Sequence, residues 1–188
     1  RNGKNLRTIE KRYPHYLELV SKFQFSPERR AEELLVAAKV EKKPLFVFDF
    51  THIGSYFNGT FEAAIKIGQK IIEMNQDEFQ FGILISESSW NFHGLEHWQG
   101  ANRLDPKDDS IRSAVMVRIG QPFSAEQLSL IFGRAAISVI YMLDTIAMDC
   151  GENSLEFDIS IWDKTMRLAS AVISISEFTS VQLRNRFS

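Results

Sequence analysis

From Leu45 onward the chain repeats one pattern: short, almost wholly apolar runs alternate with longer amphipathic stretches. A run that is apolar on both sides of its pleat fits a parallel strand covered on both faces, and parallel neighbours need a crossover between them, usually a helix. Five such runs stand in order: LFVFDF (45–50), FQFGILI (79–85), AVMVRI (114–119), ISVIYML (137–143) and AVISIS (171–176). The intervening stretches carry helix signals. Asn58-Gly59-Thr60 opens one with Phe61, Ala64, Ile65, Gly68, Ile71 and Ile72 on its inner face. Ser124 and Gln127 form a capping box ahead of Leu128, Ile131, Phe132 and Ala135, and Asp158 caps a helix with Ile159, Trp162, Met166 and Ala169 inside. A closing helix begins at Ser176. The pattern predicts an α/β domain of Rossmann-like, doubly wound type with a parallel sheet.

Before this domain, residues 1–43 read as a helical N-terminal appendage. Arg1 to Arg12 is basic and solvated, and 16–23 is a short helix. Ser26-Pro27-Glu28 then opens a second helix with Ala31, Leu34, Leu35 and Ala38 at helical spacing. The sheet domain occupies 44–188. With 22 Lys+Arg against 24 Asp+Glu the chain carries a formal charge of −2, which speaks against a nucleic-acid binder with a strongly basic face. At 188 residues one core can remove roughly 70% of the unfolded surface from water, so no staple is needed. The single Cys150 allows no internal disulfide and reads as a buried thiol. No run of about 18 apolar residues and no signal peptide is present, so a cytoplasmic setting is expected. A start at Arg1 suggests a piece of a longer polypeptide.

In an open α/β sheet the ligand crevice lies outside the carboxyl ends of the strands. The residues there are Asp49, Thr51, His52 and the Asn58-Gly59-Thr60 turn after the first strand, and Ser86 to Ser89 with Glu87 after the second. Asp144, Thr145 and Asp149 follow the fourth, and Ser176 and Glu177 the fifth. The loop 54–60 has the glycine spacing of a phosphate loop without its lysine, and G-x-G-x-x-G is absent, so Walker-type nucleotide hydrolysis is not expected. Either the glycine turn simply caps its helix, or the helix N-terminus faces an anionic or hydroxyl-rich ligand. His93 to His97 spells the inverted zinc-protease motif H-x-x-E-H. Gly94 weakens its helix and no third ligand is evident, so these read as ordinary histidines among Trp90, Phe92 and Trp98. No nucleophile elbow exists.

Longer motifs go further. MLDTIAMDC (142–150), Trp162, RLAS (167–170) and AVISISEFT (171–179) running into LRNRF (183–187) resemble, in that order, the second half of the N-terminal domain of bacterial glycosyltransferases with the GT-B fold. Asn58-Gly59-Thr60-Phe61-Glu62 resembles the first loop and helix of that domain. HGLE (93–96) and QPFS (121–124) resemble segments of transferases that build O-antigen and related polysaccharides. The resemblance implies an acceptor-side half whose nucleotide-sugar donor is held by a C-terminal domain absent from this chain. It also implies a saccharide or lipid-linked acceptor, no nucleic acid, no cofactor and no metal. A lipid-linked acceptor would bring the protein to the inner face of the membrane, with Arg1 to Arg12 touching the anionic leaflet. Asp144 and Asp149 then stand as the catalytic carboxylates. His52, Asn58, Gly59, Thr60, Glu87, His93, Ser176 and Glu177 stand as the substrate-binding residues.

One departure matters: where many members have histidine before this aspartate, the chain has Leu143. Either Asp144 and its loop work differently here, or His52 or His93 reaches the cleft instead, or the domain is a non-catalytic carbohydrate-binding or scaffold module. Asp144 itself either caps the following turn or accepts the proton of an acceptor hydroxyl.

Overall fold

The computed structural model describes residues 11–16, 19–20, 26, 29, 32, 43–149 and 158–187. Most of the expected N-terminal appendage lies outside them, as does Cys150. Strands β1 (Leu45–Asp49), β2 (Gln80–Leu84), β3 (Ala101–Leu104), β4 (Ser113–Ile119), β5 (Ala135–Met142) and β6 (Ala171–Ser174) form one sheet in the order β3-β2-β1-β4-β5-β6. Every pairing is parallel. The helices are α1 (Gly59–Asn75), α2 (Glu87–Phe92), α3 (Ala125–Arg134), α4 (Ile146–Asp149), α5 (Ile159–Leu168) and α6 (Glu177–Phe187). Strand order runs outward from β1 in one direction and from β4 in the other, so right-handed crossovers place helices on opposite faces and the doubly wound expectation holds. The direction reverses between β1 and β4, the position in an open α/β sheet outside whose carboxyl ends ligands bind.

Two apolar layers flank the sheet. On one face Phe48, Phe50, Phe81, Ile83 and Ile119 pack with Phe61, Ala64 and Ile72 of α1 and with Leu95 and Trp98. On the other, Val47, Leu84, Met116, Ile140 and Met142 pack with Leu128 and Ile131 of α3, Ile161 and Trp162 of α5 and Leu183 of α6. Trp162 is fully buried and donates from Nε1 to the Pro122 carbonyl at 2.9 Å, pinning α5 to the loop that leaves β4.

Two expectations need correction. The sheet has six strands, not five: β3 was hidden in the sequence because Asn102 and Arg103 interrupt its apolar character. An edge strand has one neighbour and tolerates polar side chains. Its Leu104 fills the space above Gly82, where an added Cβ would lie 2.4 Å from Leu104 Cδ1. In α5 the inner face is Ile161, Trp162 and Thr165, with Met166 and Ala169 partly buried beside it, whereas Ile159 is 55% exposed. Asp158 fixes the helix start by accepting from the Ser160 amide at 2.9 Å, and the phase so set turns Ile159 outward.

Candidate functional site at the carboxyl edge

The centre of the carboxyl edge is an ion pair. Asp49 ends β1 and lies opposite Arg118 of β4 in register. Both side chains are wholly buried, and Arg118 Nη1 donates to Asp49 Oδ2 at 2.7 Å. Asp49 Oδ1 accepts from the Thr51 amide at 3.0 Å and from the Thr51 hydroxyl at 2.6 Å, which fixes the first residues of the loop after β1. Burial raises the Asp49 pKa, but Arg118, His52 and the two Thr51 bonds together outweigh it and hold the carboxyl below its usual range. Arg118 Nε and Nη2 are buried without a hydrogen-bond partner. Sequence reasoning missed Arg118, although a lone charge inside an otherwise apolar strand was the available signal.

This loop lays His52 across the end of β4. Its Nε2 stands 2.8 Å from the Ile119 carbonyl. A carbonyl only accepts, so Nε2 carries the proton and Nδ1 presents a lone pair, buried and without a partner. Burial first, then the Arg118 charge, push the His52 pKa down to about 4, against a smaller upward pull from Asp49 and the Ile119 carbonyl. The imidazole is therefore neutral at physiological pH. Gly120 makes room for it: its φ is +119°, and an added Cβ would meet His52 Nε2 at 3.0 Å and Thr60 Cγ2 at 3.2 Å. We expect Gly120→Ala to cost about 1–3 kcal/mol, because backbone strain and the displaced imidazole act together. Urea unfolding measures this, and a loss under about 0.5 kcal/mol would show that the ring moves aside freely.

Gln121 carries the cluster on to β5. It donates from Nε2 to Asp144 Oδ1 at 2.9 Å and accepts at Oε1 from the Leu143 amide at 3.3 Å. Asp144 Oδ1 also accepts from the Ile146 amide at 3.1 Å, so the turn-capping role is real. Its Oδ2 keeps no protein partner among the described residues. The structure thus brings His52, Thr60, Gly120, Gln121 and Asp144 onto three adjacent strand ends around the switch between β1 and β4.

The other candidates hold local structure. Asn58 caps α1 by accepting from the Phe61 amide at 2.8 Å, while Gly59 stands in open space. His93 lies beside this loop: its Nε2 donates to the Gly54 carbonyl at 2.8 Å and its ring stacks on Phe61 at 3.7 Å. Asp149 is committed on both oxygens, to the Thr145 hydroxyl at 2.7 Å and to Arg186 at 2.5 Å, and these bonds, Thr145 first, lower its pKa. Ser176 accepts from the Thr179 amide at 3.1 Å, capping α6, whose first turn exposes Glu177. Glu87 is likewise exposed in the first turn of α2. The H-x-x-E-H segment is no metal helix, since α2 ends at Phe92 and Gly94 takes a left-handed conformation. Among the described residues no group of three His, Cys, Asp or Glu side chains is placed to hold a metal ion, and no helix is long and apolar enough to cross a membrane.

The segments from the ends of β1, β2, β4, β5 and β6 into the next helices (50–62, 85–90, 120–128, 143–149, 158–162 and 175–180) contain hydroxyls, amides and carboxylates, and no Lys or Arg. Such an edge suits hydrogen bonding to a neutral, hydroxyl-rich molecule better than neutralising a phosphate. No family model, curated protein or solved structure matches the chain.

Proposed function

We propose that this chain is the acceptor-side half of a GT-B glycosyltransferase, which moves a sugar from a nucleotide-sugar donor onto a growing bacterial surface polysaccharide. The observation that carries the reading is the polar carboxyl edge at the β1/β4 switch. Its polar groups are hydroxyls, amides and carboxylates, and the cation at its centre among the described residues, Arg118, is buried against Asp49. A saccharide acceptor needs such donors and acceptors, whereas a nucleotide diphosphate needs cations, which in this architecture belong to the second domain. Asp144 Oδ2 is the free carboxylate oxygen and takes the proton of the acceptor hydroxyl as its oxygen bonds the donor sugar carbon and the bond from that carbon to the nucleoside diphosphate breaks, the diphosphate leaving with the electron pair, while Gln121 holds Asp144 in place. Neutral His52 holds the loop after β1 on the end of β4 through the Ile119 carbonyl, and Thr60 offers a hydroxyl.

Calorimetric titration of the 188-residue chain with UDP-, GDP- and dTDP-sugars tests this division of labour. We expect no nucleotide sugar to bind tighter than about 1 mM, roughly 4 kcal/mol. Micromolar binding of one of them would overturn the reading. In a polypeptide that also carries the donor domain, Asp144→Asn should lower sugar transfer about 10²–10⁴-fold with KM for the donor unchanged.

A second reading, a non-catalytic carbohydrate-binding module, is favoured by one observation. Leu143, where a histidine is common in the resembling enzymes, packs as a partly buried apolar side chain against the core. Saccharide binding without any transfer would decide for it.

A further inference from the structure

We propose that the carboxyl edge of the sheet is a docking face for a basic polypeptide surface. Large apolar side chains are exposed on the segments leaving five of the strands: Phe57 after β1, Phe92 at the end of α2, Phe123 after β4, Ile146 after β5 and Phe178 after β6, between 46% and 71% exposed. Phe57 and Phe92 come from different segments yet lie ring to ring at 5.2 Å, so they present one surface. Toward the opposite edge the comparable side chains among the described residues are Met74 at the end of α1, Leu168 at the end of α5 and Ile137 near the start of β5. Clustered exposed aromatics inside a polar rim mark an interaction surface.

The rim selects the partner. Glu62, Glu87, Glu126, Asp158 and Glu177 stand in or just before the first turns of α1, α2, α3, α5 and α6, on segments without Lys or Arg; of the basic side chains beside this edge, Arg103 lies by the Ile85 carbonyl and Arg186 is paired with Asp149, while Lys107 follows β3. An anionic bilayer would meet this rim with like charge, and so would the same edge of a second copy. A polypeptide surface with basic residues around an apolar centre satisfies both features. The side chains used here differ from Asp144, Gln121 and Thr60, to which the proposed function gives the sugar; Glu87 and Glu177, expected from the sequence to bind substrate, stand exposed in helix first turns and belong to this rim.

The probe is a synthetic amphipathic Leu/Lys helical peptide, titrated into the full chain at low and high salt, beside phosphatidylcholine vesicles with and without phosphatidylserine. We expect micromolar peptide binding that weakens about tenfold at high salt, and no binding to the anionic vesicles. Phe57→Ser/Phe178→Ser should weaken the peptide at least about tenfold, Glu87→Gln/Glu126→Gln/Glu177→Gln should flatten the salt dependence, and the control Met74→Ser/Leu168→Ser should change neither. Thermal unfolding confirms that each variant is folded. Three results would each overturn the inference: peptide affinity indifferent to the edge variants, vesicle binding that depends on Phe57 and Phe178, or sedimentation showing a dimer that Phe57→Ser/Phe178→Ser dissolves.

Discussion

Replacing Arg118 by methionine is expected to lower the unfolding free energy by about 3–5 kcal/mol, because it leaves the Asp49 carboxylate buried with only the Thr51 amide and hydroxyl for partners. The intact pair is worth much less than this. Arg118 spends two of its nitrogens, Nε and Nη2, on nothing, so its attraction for Asp49 is set against a large desolvation cost. The double variant Asp49→Leu/Arg118→Met should therefore recover most of the loss, since both charges and the orphaned donors go together. Acidity separates the cases further. In the parent chain the folded Asp49 pKa lies below its ordinary value of 3.8, so the stability it confers is complete above that value and is lost as pH falls through the lower folded pKa. With Arg118 gone, burial dominates and raises the folded pKa above the unfolded one. The single variant should then lose more at pH 7 than at pH 4. Urea unfolding of the three proteins at both values measures this. A single-variant loss below about 1 kcal/mol, or a double variant no better than the single, would show that Asp49 is not held in a dry environment.

The same pair shows where the sequence was informative and where it was not. Alternation of apolar runs with capped amphipathic stretches sufficed for β1, β2, β4 and β5, because a strand covered on both faces has no freedom to be polar, and for the other edge strand, β6, because most of its side chains are apolar although Ile173 is exposed. The edge strand β3 escaped because that constraint is relaxed there. Partnerships were harder to see. Asp49 and Arg118 are 69 positions apart and meet only through the register of β1 on β4, and Gln121 meets Asp144 only because β4 lies beside β5. Small polar residues were ambiguous for a different reason. Asn58, Ser176 and Asp158 have the chemistry of binding residues, but the same oxygens satisfy the free amides of helix first turns, and the structure commits them to that. Asp144 differs because its cap uses one oxygen and leaves the other.

Between pH 7 and pH 4 the parent chain is expected to lose about 3 kcal/mol through His52 alone. The folded pKa is about 4 against an ordinary 6.5, so below 6.5 the unfolded chain takes up a proton that the folded chain refuses until about pH 4. Stability is thus full above the unfolded value and falls with pH across that window, at up to 1.36 kcal/mol per unit. The window lies above the one in which Asp49 protonates, which keeps the two effects distinguishable. His52→Gln keeps a side-chain N–H for the Ile119 carbonyl but cannot titrate, so its stability should change little between pH 6.5 and 4.5. Proton NMR of the imidazole gives the same quantity directly. A midpoint near 6.5, or an unchanged pH slope in His52→Gln, would mean that the ring is solvated and that Nδ1 is not the buried lone pair the geometry makes it. The two predictions also meet. Arg118 is the second cause of the depression after burial, so in Arg118→Met the His52 midpoint should rise, as the neighbouring charge changes from a balanced pair to a lone carboxylate.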